Sequence, residues 1–128
     1  MLFRSIQTRC CLRCQIDFDM ARADFAFMHP LRVRWAEIDV QGIVFNAHYL
    51  MYMDVGVTEY FRFLSDGNPA SLQTITSNMY VVKTAIDFHS SAKFDDLIDV
   101  GVRTARFGKS STALTFEKIG RASCRERV

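Results

Sequence analysis

Asp39 precedes Gly42 and the start of a long apolar stretch, within the segment Arg32-Val33-Arg34-Trp35-Ala36-Glu37-Ile38-Asp39-Val40-Gln41-Gly42-Ile43-Val44-Phe45-Asn46-Ala47-His48-Tyr49-Leu50. This order sets a carboxylate beside an expected helix N-terminus. The first N–H groups of a helix have no partner inside it and favour negative charge. An acid facing such donors suits attack on a carbonyl or thioester: the carboxylate supplies or activates the attacking oxygen, and the donors hold the oxyanion. From spacing alone, the simpler reading is that Asp39 caps a turn or the helix entry.

The neighbouring residues extend both readings. Gly42 lets the chain turn tightly. Asn46 fits the helix N-cap, with orientation of water or a thioester as the catalytic alternative. His48 falls in the first helical turn, where it is read as structural or pocket-lining; its side-chain type also exchanges protons near neutral pH. Glu37, on an extended segment, would share a face with Asp39 and set a second negative charge beside it. The plainer expectation is a paired surface acid. Glu59 and Arg62 have the spacing of an i,i+3 ion pair on a helix, solvated by default. No phosphate-binding loop, nucleophile elbow or zinc motif is present in the sequence, and no metal is expected.

These residues need positioning elements. Leu31, Val33 and Trp35 alternate with Arg32 and Arg34, which predicts a half-buried strand. From about residue 47 to 64, Leu50, Met53, Val57, Tyr60, Phe61 and Leu64 share one helical face, widened by Tyr49, Met51 and Tyr52. Gly56 interrupts the helix interior and marks either a close approach to a sheet or a tolerated glycine. Ser65-Asp66-Gly67-Asn68-Pro69 carries strong stop signals, and residues 71–78 read as a polar connection. Alternation over residues 80–88, 98–104 and 112–116 predicts three further strands, with a hairpin turn at Phe107-Gly108-Lys109-Ser110.

The run Asp-x-x-Gly-Ile-Val-Phe-Asn-x-x-Tyr-Leu, from Asp39 to Leu50, resembles the opening of hotdog-fold acyl-CoA thioesterases of the 4-hydroxybenzoyl-CoA thioesterase type, a likeness that continues more weakly to about Glu117. The resemblance implies an α+β hotdog fold, a curved antiparallel sheet wrapped around one long central helix. It implies hydrolysis of an acyl-CoA thioester to a carboxylic acid and CoA, with Asp39 as the catalytic carboxylate, acting as nucleophile or as base on water. No cofactor is implied, CoA being part of the substrate. Some relatives place a histidine where this chain has Asn46, which argues against a histidine-assisted mechanism. Trp35 stands where some relatives have tyrosine, and is read as core packing, with a substrate-facing ring as the alternative. Gly42, Asn46 and His48 become substrate-positioning candidates. Lys93, Arg106 and Lys109, with Arg103, become candidates for the CoA phosphates. Relatives build their active sites between subunits, so a homodimer or homotetramer is expected. The alternatives are a non-catalytic acyl- or CoA-binding hotdog protein, or a non-functional fragment.

Composition sets bounds on this reading. The chain has 128 residues, a net charge of +2 and 49% apolar residues, enough for one packed domain. That balance predicts neither nucleic-acid binding nor, without a long apolar run, a membrane span. Residues 1–19 read as a leader or upstream extension, with Arg4, Arg9 and Arg13 ahead of the first acid, Asp17, and Met20 as an alternative start. Residues 20–117 read as the thioesterase domain, cut short of its final strand. Residues 118–128 can be back-translated to continue a string beginning AGATCGGAAGAGC, a common sequencing-adapter sequence, and are expected to be adapter-derived. The expected domain contains no cysteine, which fits a reducing cytoplasmic setting, with an organellar matrix left open by the leader.

Overall fold

In the computed structural model, the structure describes residues 2–11, 23–88 and 90–120, with side chains described for 23–88 and 90–117. The elements in chain order are β1 (Leu2–Cys11), β2 (Phe27–Arg32), a 3-10 turn (Trp35–Glu37), α1 (Asn46–Leu64), α2 (Pro69–Ser77), β3 (Tyr80–Val81), β4 (Thr84–Phe88), β5 (Leu97–Phe107) and β6 (Ser111–Gly120). The central strands form an antiparallel ladder, β2 on β5 and β5 on β6. The fold is α+β, with the long helix packed on this antiparallel sheet, as expected of a hotdog domain.

Residues 2–11, set outside the domain by sequence reasoning, form a strand of the sheet. β1 lies between β6 and the β3/β4 strands and runs parallel to all three. The segment contains no glycine, proline or acid, and its ladder with β6 shifts register once, between Phe3 and Ile6. β6 continues to Gly120, beyond the expected boundary at residue 117. The expectations for residues 12–20 and 121–128, including the Met20 start, lie outside the described residues.

The core forms where α1 crosses β5. Ile98, Val100 and Val102 of β5 and Leu114 and Phe116 of β6 are buried with Tyr49, Tyr52, Met53 and Phe61 of α1. Gly56 is the point of closest approach: a Cβ there would sit 2.7 Å from Val100 Cγ1 and 3.1 Å from Val102 Cγ2. The buried stripe of α1 is rotated from the expected one. It runs through Tyr49, Tyr52, Met53, Gly56 and Phe61, while Leu50 and Leu64 are exposed. Aliphatic periodicity points to the wrong edge because the sheet-facing positions are filled by tyrosines and a glycine.

Three further expectations are corrected. β2 ends at Arg32, and the alternation through Val33 and Trp35 enters a 3-10 turn instead of continuing a strand. Residues 71–78 are largely helical: Asn68 Oδ1 accepts from the N–H of Ala70 and Ser71 at 3.0 and 3.3 Å, and Pro69 opens α2. Asn68-Pro69 thus starts a second helix as well as following the first. Leu72 and Ile75 of α2, with Met79 beyond it, pack on the core. The strand expected over 80–88 is broken at Val82 and Lys83 into β3 and β4.

Candidate active site

Between the 3-10 turn and α1 the chain folds into a short hairpin. Phe45 N–H donates to Glu37 O at 2.9 Å, and Asp39 N–H donates to Ile43 O at 2.9 Å. Ile38 and Val44 pair antiparallel between them. The tip is a turn closed by Gly42 N–H to Asp39 O at 3.0 Å, with Gly42 at φ +76°. That left-handed conformation is the reason a glycine is needed here. One arm of the hairpin carries Asp39 and the other runs into the helix, so the acid and the helix start are held by the same ladder.

Asp39 is half-buried, and its Oδ1 accepts from Gln41 N–H at 2.8 Å. This is the turn-capping geometry that spacing alone suggests. It engages one oxygen. Oδ2 has no hydrogen bond among the described residues. The capping contact therefore leaves the second oxygen of the same carboxylate uncommitted.

The start of α1 has no side-chain cap. Its N-cap is Phe45, not Asn46, and no side chain bonds to the first turn. Asn46 is the first helical residue and is exposed. This corrects the capping reading: helical geometry begins one residue early, so the Asn46 side chain is past the position from which a cap reaches back. His48 N–H bonds to Phe45 O at 2.9 Å, whereas the N–H groups of Asn46 and Ala47 have no acceptor among the described residues. Two donors are therefore open at the positive end of a 19-residue helix. The His48 ring lies edge-on to Phe45, and its buried Nδ1 has no hydrogen-bond partner among the described residues.

Glu37 is a buried anchor and not a surface acid, with 2% of its surface exposed. Its Oε2 accepts from Tyr52 Oη at 2.6 Å and Arg34 N at 2.8 Å; its Oε1 accepts from Arg34 Nη2 at 2.7 Å and Nε at 2.9 Å. Burial pushes the Glu37 carboxyl up. The bonds from Tyr52 and from Arg34, with the Arg34 charge, outweigh burial and hold the carboxyl below its ordinary value. Burial, followed by the bond to Glu37, pushes the Tyr52 phenol well up. One helical turn earlier, Tyr49 Oη accepts from Ala92 N–H at 3.0 Å, and Ala92 O accepts from Val44 N–H at 2.9 Å. The two tyrosine contacts were missed in the sequence, where Tyr49 and Tyr52 counted only as added apolar surface. A buried tyrosine hydroxyl needs a partner, and that was the available signal.

Trp35 is 74% exposed, contrary to the core-packing expectation, and stacks edge-on against the exposed Phe94 at 5.3 Å. The 3-10 turn that buries Glu37 rotates the tryptophan outward. Lys93 lies next to Ala92, beside the hairpin, with its backbone N–H on Asp96 Oδ2 at 2.8 Å. Arg106 and Lys109 sit at the far end of β5, an 11-residue strand, which at 3.3 Å per residue is roughly 30 Å away. One chain therefore does not gather the three cations. Arg103 stacks over the Phe25 ring at 5.4 Å. Glu59 and Arg62 form the expected ion pair on α1. Among the described residues no group of three or more His, Cys, Asp or Glu could hold a metal, and no helix is long and apolar enough to cross a membrane.

A model of the thioesterase superfamily matches residues 41–117, a span that opens just after Asp39 and includes Gly42, Asn46, His48 and all of α1. The chain is 34% identical over 99 residues to the acyl-CoA thioesterase YbgC of Haemophilus influenzae, covering 77% of this chain and 71% of that protein. The crystal structure of a probable thioesterase from Bartonella henselae shares the fold, with a TM-score of 0.56 and 23% identity over 73% of this chain and 87% of that one.

Proposed function

Given that the chain belongs to the thioesterase superfamily and is an acyl-CoA thioesterase, we propose that Asp39 carries the hydrolysis at the hairpin that leads into α1. The observation that carries this reading is the pairing of a carboxylate with one uncommitted oxygen and a helix start with no side-chain cap. Oδ2 attacks the thioester carbonyl, or takes a proton from a water that attacks it. The carbonyl oxygen gains negative charge and is received by the N–H groups of Asn46 and Ala47. Collapse of the tetrahedral species breaks the C–S bond, and the CoA thiolate leaves and takes up a proton. Water completes the carboxylic acid directly, or by hydrolysing an anhydride on Asp39.

Gly42 keeps the turn tight below the reacting oxygen, and Asn46 and His48 line the approach to the donors. A homodimer or homotetramer completes this reading. Its support is the exposed apolar set Phe45, Leu50, Met51 and Val55 at the start of α1. The separation of Lys93 from Arg106 and Lys109 also fits a CoA phosphate site assembled from two chains. Release of free CoA from a panel of acyl-CoA thioesters, measured with a thiol-reactive dye alongside the molar mass in solution, tests the proposal. Turnover by an oligomer is expected. Binding of the thioesters without CoA release would identify a non-catalytic acyl-CoA binder instead.

A further inference from the structure

We propose that Glu37 is a positioning residue for the thioesterase reaction, acting through Tyr52 to set where Asp39 stands relative to the start of α1; this rests on the reading of Asp39 as the catalytic acid. The reaction needs the carboxylate and the N–H donors at a fixed separation. The hairpin ladder holds its two arms together, but it does not fix how the ladder sits on the helix. On the Val44 arm that is done indirectly through Ala92, which accepts from Val44 N–H and donates to the Tyr49 hydroxyl. On the Asp39 arm the Glu37 side chain does it directly. Its backbone carbonyl is the first rung of the hairpin, to Phe45 N–H at 2.9 Å. Its carboxylate reaches over the helix to the Tyr52 hydroxyl at 2.6 Å. Tyr52 lies seven residues beyond the N-cap Phe45, which is roughly 10 Å along the helix axis. The root of the hairpin is thus tied to α1 at its N-cap and again about two turns further on.

Arg34 closes the third side. Its backbone N–H and guanidinium both reach the same carboxylate, and its own side chain is 68% exposed while Glu37 is 2% exposed. The 3-10 turn, closed by Glu37 N–H to Arg34 O at 3.1 Å, is therefore locked from the strand side and from the helix side. Asp39 follows two residues later. Releasing Tyr52 frees the Asp39 arm to tilt against the helix, and a displacement of about 1 Å at a reacting group can cost on the order of a hundredfold in rate. Glu37 does this without touching substrate.

The test compares wild type, Tyr52→Phe, Glu37→Gln, Asp39→Asn and the double variant Tyr52→Phe with Asp39→Asn, all on one CoA thioester that the wild type hydrolyses. Tyr52→Phe keeps the ring in the core and removes only the hydroxyl; Glu37→Gln keeps the size and removes the charge. Tyr52→Phe and Glu37→Gln are each expected to fold, to lose about tenfold to a hundredfold in kcat, and to bind a non-hydrolysable acyl-CoA thioether as wild type does. In the Asp39→Asn background, followed at high enzyme concentration, Tyr52→Phe is expected to change the residual rate by less than about twofold, because its effect runs through Asp39. A merely structural role would leave the loss undiminished in that background, and this result would overturn the proposal. Wild-type kcat in a folded Tyr52→Phe also overturns it alone. Wild-type kcat in Asp39→Asn removes the catalytic reading and the proposal together.

Discussion

The Tyr52 hydroxyl donates to Glu37 Oε2 at 2.6 Å, across fifteen residues of sequence and inside the protein. It joins the middle of α1 to the turn that introduces Asp39. Because the carboxylate is also engaged twice by the Arg34 guanidinium, the charged form of Glu37 is the one the fold favours.

That preference has a sign in pH. Burial raises the Glu37 carboxyl, but the hydrogen bonds from Tyr52 and Arg34 lower it further, to below the ordinary 4.5. A carboxylate with a depressed value in the fold contributes stability above its unfolded value, and the contribution is lost as pH falls through the folded value. Thermal unfolding of wild type and Glu37→Gln should therefore show a gap in Tm at neutral pH that narrows once the pH drops below 4.5. A gap of constant width into strong acid would contradict the assignment.

Gly56→Ala should destabilise the protein. The added methyl would lie 2.7 Å from Val100 Cγ1 in the packed crossing of α1 and β5. Overpacking of this kind costs about 1–3 kcal/mol, more than the gain in helix propensity from replacing glycine. Denaturant midpoints measure it; an unchanged or higher midpoint would mean that the crossing is looser than described.

Asn46→Ala should leave stability within about 0.5 kcal/mol of wild type, since a surface position with no cap contact has little to lose. Any fall should appear in turnover. Unfolding and steady-state hydrolysis measured side by side separate the two. A loss of about 1 kcal/mol of stability, typical for removing an N-cap, would restore the capping role.

The parts of the fold that could be read in the sequence are those with a single dominant local signal. The helix over 46–64, the alternation of β5 and the turn at Gly108 follow from periodicity and turn chemistry. Gly42 could be read for the same reason, since its positive φ is a local demand. What failed to show depends on partners far along the chain. Glu37 looks like any surface acid until Tyr52 is brought over it. Trp35 looks like core until the 3-10 turn sends it outward. Asn46 has the right residue type for a cap and stands one position late. Residues 2–11 carry no clear period of their own, and their pairing partners in β4 and β6 are more than seventy residues distant.

Hydrolysis of a CoA thioester by Asp39→Asn is the most direct test of the mechanism. Asparagine has the same size and keeps a side-chain oxygen to accept from Gln41 N–H, so the turn at 39–42 should persist. It lacks the anionic oxygen needed for attack or proton abstraction. The prediction is a folded protein with wild-type affinity for a non-hydrolysable acyl-CoA thioether and a kcat lower by about a hundredfold or more, the scale expected for loss of a general base. A folded Asp39→Asn protein that releases CoA at the wild-type rate would contradict the account.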